Sequence, residues 1–222
     1  MTQTAAPGST EPTTSRRRQG VWWRPDRVSW WMGVLFAVGS LCFALAAIVS
    51  QWASAPRPAI GVTYFVGSIF FTVAACLQWR SAARDPRGID WWASVIQLAG
   101  TLFFNVSTFA GMKHGFDARQ SNLRVWTPDV FGSICFLVSS ELAYAAVCQR
   151  WFCLRPRSLS WRIAALNLVG SIAFGVSAMT SLIEPSTQEP VSAAIANAGT
   201  AIGALCFLAG ALMLAPEAAQ AT

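Results

Sequence analysis

Residues 30–47 read WWMGVLFAVGSLCFALAA, an apolar run of helical length with Gly39 and Ser40 set in its middle. A glycine inside a helix costs about 1 kcal/mol relative to alanine, so two poor helix formers at that place need a reason. Recurrence supplies one. The run returns as GSIFF at 67–71, GTLFF at 100–104, GSICF at 132–136, GSIAF at 170–174 and GALCF at 203–207. Each Gly is followed by Ser, Thr or Ala, and four residues on by Phe. A second small pair comes seven and eight residues after each Gly: Ala46–Ala47, Ala74–Ala75, Ser107–Thr108, Ser139–Ser140, Ser177–Ala178 and Gly210–Ala211.

At about 100° per residue these offsets fall on one helix face about 120° wide. Small residues two turns apart let neighbouring backbones approach closely, which is how helices associate in lipid, where burial gives no net drive. Gly39, Gly67, Gly100, Gly132, Gly170 and Gly203 are therefore read as helix-packing points, with each Phe filling the groove beside the contact. Trp30, Trp91 and Trp161 stand nine residues before Gly39, Gly100 and Gly170, and the even runs have no such tryptophan. They read as anchors at a membrane interface. The repeating unit is then a two-helix hairpin used three times, which implies a pseudo-threefold axis along the membrane normal.

Composition agrees with this reading. Of 222 residues 54% are hydrophobic and only 12% charged, where a soluble domain has about a quarter charged. The charges lie between apolar runs of about twenty residues, the length that crosses a bilayer. Six spans are expected, at roughly 30–50, 60–79, 91–111, 128–147, 161–183 and 192–214. The fold class is all-α: an integral membrane bundle of six transmembrane helices built from three repeated hairpins (about 28–80, 90–148 and 159–214), both termini cytoplasmic. Residues 1–27 form a basic cytoplasmic tail rich in Thr, Ser, Pro and Gly, expected to be disordered, and 215–222 a short second tail. The polar region is too long for a cleavable signal peptide, and the site-like ASA at 53–55 is followed by Pro56.

Orientation follows from Lys and Arg. Twelve arginines (16, 17, 18, 24, 27, 80, 84, 87, 150, 155, 157 and 162) fall on one side of the six spans, against Arg57, Lys113, Arg119 and Arg124 on the other. The positive-inside rule puts the first set in the cytoplasm. The membrane accounts for the net charge of +6 and no nucleic acid is called for. Fifteen arginines against one lysine suit a bacterial, GC-rich genome, hence a bacterial inner membrane. Cys42, Cys76, Cys135 and Cys206 lie within the spans, with Cys148 and Cys153 at a cytoplasmic end; no spacing suits zinc. All are expected to behave as small hydrophobes without a disulfide.

The run that begins with Gly-Ser and carries Phe four residues on resembles the YrhK-like family of small bacterial membrane proteins, whose short members are little more than one such hairpin. The resemblance implies three fused family units over about residues 28–214. It implies no activity and no site residues.

Polar residues inside the spans are candidates for a proton or ion site. Gln97, Asp129 and Asn167 each precede a motif glycine by three residues, on the small-residue face. For Asp129 a structural role is expected: TPD at 127–129 reads as a helix start, Thr127 capping and Pro128 in the first turn, with the carboxylate on the helix dipole. Glu141 lies on the opposite side of its helix, about 13 Å in from Arg150. It is either a protonated carboxyl bonded to a neighbouring helix or subunit, or a proton- or cation-binding group. Asn105 and Asn197 could join such a cluster. His114, in a loop with Lys113, Asp117 and Arg119, is expected to be solvated.

No metalloprotease, nucleophile-elbow or phosphate-loop motif is present. No enzyme, cofactor or catalytic residue is expected. The favoured reading is a structural or accessory membrane protein, partnered by the lipid bilayer and by another membrane or cytoplasmic protein. The alternative is a small transporter or channel using Glu141.

Overall fold

The structure, a computed structural model, describes residues 25–52, 56–83 and 88–220, with side chains to 214. The expected disorder of residues 1–24, Arg16, Arg17, Arg18 and Arg24 within them, the ASA stretch, and Arg84 and Arg87 lie outside these residues. The described chain is helical: α1 Val28–Trp52, α2 Arg57–Ala82, α3 Ile89–Gly111, α4 Ala118–Ser121, α5 Thr127–Cys148, α6 Leu159–Thr180 and α7 Ala193–Gln220. A π-helical turn, Asn122–Trp126, joins α4 to α5, so Ala118–Cys148 makes one span. Six helices are then long and apolar enough to cross a membrane. The α6–α7 loop carries an isolated bridge between Ile183 and Pro190.

Each span packs on its neighbours in sequence, and α1 packs on α7, so the six close into a ring. Valine, leucine and isoleucine side chains such as Leu41, Val66, Leu102, Ile134, Ile172 and Leu205 are exposed on its outside, which suits lipid. The inside is small. The residue after each motif glycine is buried in every span: Ser40, Ser68, Thr101, Ser133, Ser171 and Ala204. A Cβ on Gly39 would lie 3.0 Å from the Gly67 carbonyl oxygen, and one on Gly67 would lie 3.1 Å from that of Gly39. A Cβ on Gly132 would lie 3.1 Å from the Gly100 carbonyl oxygen, and Cβ atoms on Gly170 and Gly203 would lie 3.0 and 2.9 Å from each other's. The helices of α1–α2, α3–α5 and α6–α7 thus touch backbone to backbone at their motif glycines.

The six motif phenylalanines do more than fill a groove. Each lies over the glycine of the facing helix, so that a Cβ on Gly39 would stand 2.8 Å from Phe71 and one on Gly100 2.8 Å from Phe136, and all six meet in one core cluster. Phe43, Phe104 and Phe174 form one triangle, with centroids 6.4, 6.0 and 6.1 Å apart. Phe71, Phe136 and Phe207 form a second, at 6.1, 6.1 and 5.8 Å. Rings 4.9–5.6 Å apart link the two layers at Phe43–Phe71, Phe104–Phe136 and Phe174–Phe207. Mostly edge-on rings at these separations attract one another beyond simple area burial. Because alternate helices run in opposite directions, a residue four places after the glycine lies about 6 Å to one side in α1, α3 and α6 and to the other side in α2, α5 and α7. That alternation produces the two layers.

Three expectations change. Trp30 is only 8% exposed, and its neighbour Trp31, edge-on at 4.9 Å, is the exposed ring; Trp91 and Trp92 repeat the arrangement, with Trp92 exposed. At this end of the helix Trp30 is covered by the bundle, and the next residue is the exposed one. Second, the fourth span starts ten residues before the expected 128, at Ala118. Asp117 caps it, accepting from the Gln120 backbone N–H while the Gln120 side chain accepts from Asp117 N–H, a full capping box. Third, Cys148 and Cys153 are joined in a disulfide. Gln149 turns the chain sharply in the left-handed region (φ 56), bringing the two Cα atoms to 5.5 Å, a bridging distance.

Candidate functional site

Above the Phe43–Phe104–Phe174 triangle the ring opens into a cavity of about 560 Å³ that reaches the loops at 112–117 and 181–183. The geometry of the motif decides what lines it. Three residues before the glycine, on the three helices that run away from these loops, stand Tyr64, Asp129 and Thr200, and all three face the cavity. The corresponding residues of the other helices are Phe36, Gln97 and Asn167, which opposite helix direction sets beyond the phenylalanine layers. Phe36 joins the core cluster, and Asn167 Oδ1 occupies the space that a side chain on Gly210 would need.

Asp129 is the acidic residue of the cavity, and its position differs from the expected one. Thr127 caps nothing: the backbone at Trp126 is already helical, and the Thr127 hydroxyl donates back to the Asn122 carbonyl at 2.8 Å. Pro128 has no N–H for the preceding turn, and its ring crowds that turn's carbonyl. The chain accommodates this by widening into the π turn, a device frequent at functional sites. Ser107 of α3 donates to the Val125 carbonyl at 2.9 Å, so carbonyls freed by the wide turn are satisfied from two sides. Asp129 therefore lies inside a continuous span, three residues or about 4.5 Å from the level of Gly132. A charged Asp at a span centre costs about 3 kcal/mol in insertion. Among the described residues its carboxylate has neither a hydrogen-bond nor an ion-pair partner, and Tyr64 faces the same cavity.

The mouth has the opposite sign. Arg57 at the start of α2, with Lys113 and His114 from the loop after α3, lines it; Lys113 also sits over the Phe109 ring at 5.8 Å. His114 is exposed, as expected of a loop histidine. Hydroxyls of Ser107, Thr108, Ser177 and Thr200 line the wall. Ser177 and Thr200 share a hydrogen bond of 2.7 Å, and Thr108 meets Ser68 at 3.0 Å, so these groups are engaged while Asp129 is free. The wall is held in place by the π turn. Asn122 bonds both the N–H and the carbonyl of Ile183 (2.9 and 2.7 Å), and Trp126 donates to the Ala178 carbonyl at 2.8 Å.

The polar candidates are not gathered into one site. Glu141 is outside the cavity, nine residues or about 13.5 Å beyond Gly132, on the face away from the small residues, with no hydrogen-bond partner among the described residues. Asn105 donates to the Thr72 hydroxyl at 2.9 Å between α3 and α2, while its Oδ1 is buried and unpaired. Asn197 lines the mouth and bonds Gln51 at 3.1 Å. Among the described residues no group of three His, Cys, Asp or Glu could hold a metal.

The opposite end is pinned. Tyr144 and Trp161 both donate to the Cys153 carbonyl, the latter at 3.0 Å, and Trp161 Nε1 lies 3.1 Å from the Tyr144 hydroxyl. With the disulfide these contacts fix the α5–α6 loop, whose Trp151, Phe152 and Leu154 are more than 70% exposed between Arg150 and Arg155. Sequence reasoning missed the disulfide, although two cysteines five apart across a helix end were a usable signal. No family model, curated protein or solved structure matches the chain.

Proposed function

We propose that this chain is a non-enzymatic structural or accessory protein of the bacterial inner membrane, built from three fused hairpins of the YrhK-like kind about a pseudo-threefold axis, both termini cytoplasmic. The recurring motif and its charge distribution support that architecture. One observation supports binding over conduction: the two stacked phenylalanine triangles occupy the axis where a pore would run. An aromatic plug in mutual contact leaves no polar path, and dehydrating an ion through it is prohibitive. The exposed Trp151–Phe152–Leu154 loop, flanked by arginines, suits an anionic membrane surface or a partner protein, and the lipid bilayer is the partner in any case.

A second reading, a small transporter working through a membrane-embedded carboxylate, draws on the one-sided cavity. In that reading Asp129 faces the cavity, and Glu141 could act only through another subunit or a different conformation. Reconstitution into liposomes tests both. The accessory reading expects no proton, potassium or small-solute flux above empty vesicles. Flux reduced by Asp129→Asn or by Glu141→Gln overturns it in favour of transport.

A further inference from the structure

The geometry points to the cavity above the phenylalanine plug as a binding site for a small zwitterion carrying a quaternary ammonium at one end and a carboxylate at the other. The charges decide the class. The cavity has one carboxylate, Asp129, at its base, and the cations Arg57 and Lys113 at its mouth. A simple cation would have to pass two like charges, and a simple anion would meet Asp129. A neutral molecule with separated charges satisfies both ends at once.

Separation and floor narrow the class further. Arg57 precedes Tyr64 by seven residues, so along the helix it starts about 10 Å above the level that Tyr64 shares with Asp129. A long guanidinium side chain bridges part of that gap, which leaves room for several bonds between the two charges of the ligand. At the base the ammonium meets Asp129 together with Tyr64 and the floor rings Phe43, Phe104 and Phe174. Aromatic faces around a carboxylate favour a weakly hydrated, methylated ammonium. The cavity of about 560 Å³ is in the usual size range of ligand pockets. Where the hairpins correspond, the plug repeats Phe six times, yet the three positions facing the cavity are Tyr, Asp and Thr. Packing needs the repetition; it does not need the carboxylate.

The site stands whether or not solute passes the plug, so its test is separate from the flux measurement. Calorimetry on the full chain in nanodiscs, with γ-trimethylaminobutyrate, choline and butyrate as probes, decides it. The zwitterion binds most tightly, choline weakly, and butyrate least. Asp129→Asn lowers zwitterion affinity by about tenfold or more, the weight of a hydrogen-bonded charge. Arg57→Gln, at an exposed position, weakens the zwitterion but does not weaken choline. Failure of the zwitterion to bind overturns the inference, as does butyrate binding equally well. Retention of zwitterion affinity by folded Asp129→Asn, or by Arg57→Gln, also overturns it.

Discussion

The two ends of the bundle are made from the same motif and behave differently. Around the Phe43 triangle the helices part, and the wall is held by side chains reaching from the π turn to the α6–α7 loop. Beyond the Phe71 triangle, a disulfide ties the end of α5 to the loop that follows it, and three contacts among Tyr144, Cys153 and Trp161 join that loop to α5 and α6. One packing rule fixes the centre, and each end departs from it for a local reason. A span widened by Pro128 leaves a carboxylate in an open end; a left-handed turn at Gln149 clamps the other.

The largest effect belongs to the shared centre. A Cβ at Gly100 would stand 2.8 Å from Phe136 and 2.9 Å from Cys135, whereas Gly175 in α6 has nothing within 4 Å. Gly100→Leu should therefore cost about 3 kcal/mol or prevent folding, the upper range for overpacking. Gly175→Ala should gain up to about 1 kcal/mol in helix propensity. Thermal melting in micelles reads both. Equal losses at Gly39, Gly100 and Gly170 would support three equivalent hairpins, and a loss at Gly100 alone would break that equivalence.

The centre was legible because it rests on periodicity within single helices. The Gly and Phe offsets select one face, and a face that recurs in six spans has to be the inner one. Glu141 lies outside the cavity because it sits nine residues beyond Gly132, toward the other end of α5. The place of Asp129 was not legible. TPD is a good helix start taken alone, and only the preceding Asp117–Gln120 box, together with Ser107 on another helix, lets the span begin earlier and absorb the proline in a π turn. Local signals compete there, and tertiary hydrogen bonds decide. The meeting of the six rings was illegible for a related reason, since it needs the ring to close through α1 and α7.

A middle-sized effect concerns the clamp. Closing so short a loop is worth about 2 kcal/mol in the chain-entropy picture, so reduction, or Cys148→Ser, should lower the melting temperature while leaving the cavity intact. The charge pattern predicts that this end faces the cytoplasm, where thiols are usually kept reduced. Reporters fused after Thr222 and at Ser186 should report opposite sides, the first cytoplasmic. Alkylation of Cys148 and Cys153 in intact cells then shows which form the compartment keeps. A cytoplasmic reporter at Ser186 would invert the molecule and put the disulfide in an oxidising space.

The smallest effect compares the two indoles that tie the ends. Trp126→Phe removes one donor, to the Ala178 carbonyl, and Trp161→Phe removes one shared between Cys153 and Tyr144. Each should cost about 1 kcal/mol, the usual net value of a hydrogen bond. Their local consequences should differ. At the clamp, the Cys153 carbonyl keeps the Tyr144 hydroxyl, and the disulfide still holds the loop, so hydrogen exchange around 149–158 should change little. At the open end, Trp126 ties the π turn to α6, and without it Asn122 on Ile183 and the Ala118 N–H on Gln188 remain. Exchange at 178–192 should therefore rise in Trp126→Phe. Equal exchange at both ends would mean that the cavity wall is as firmly braced as the clamp, and the contrast between them would fall.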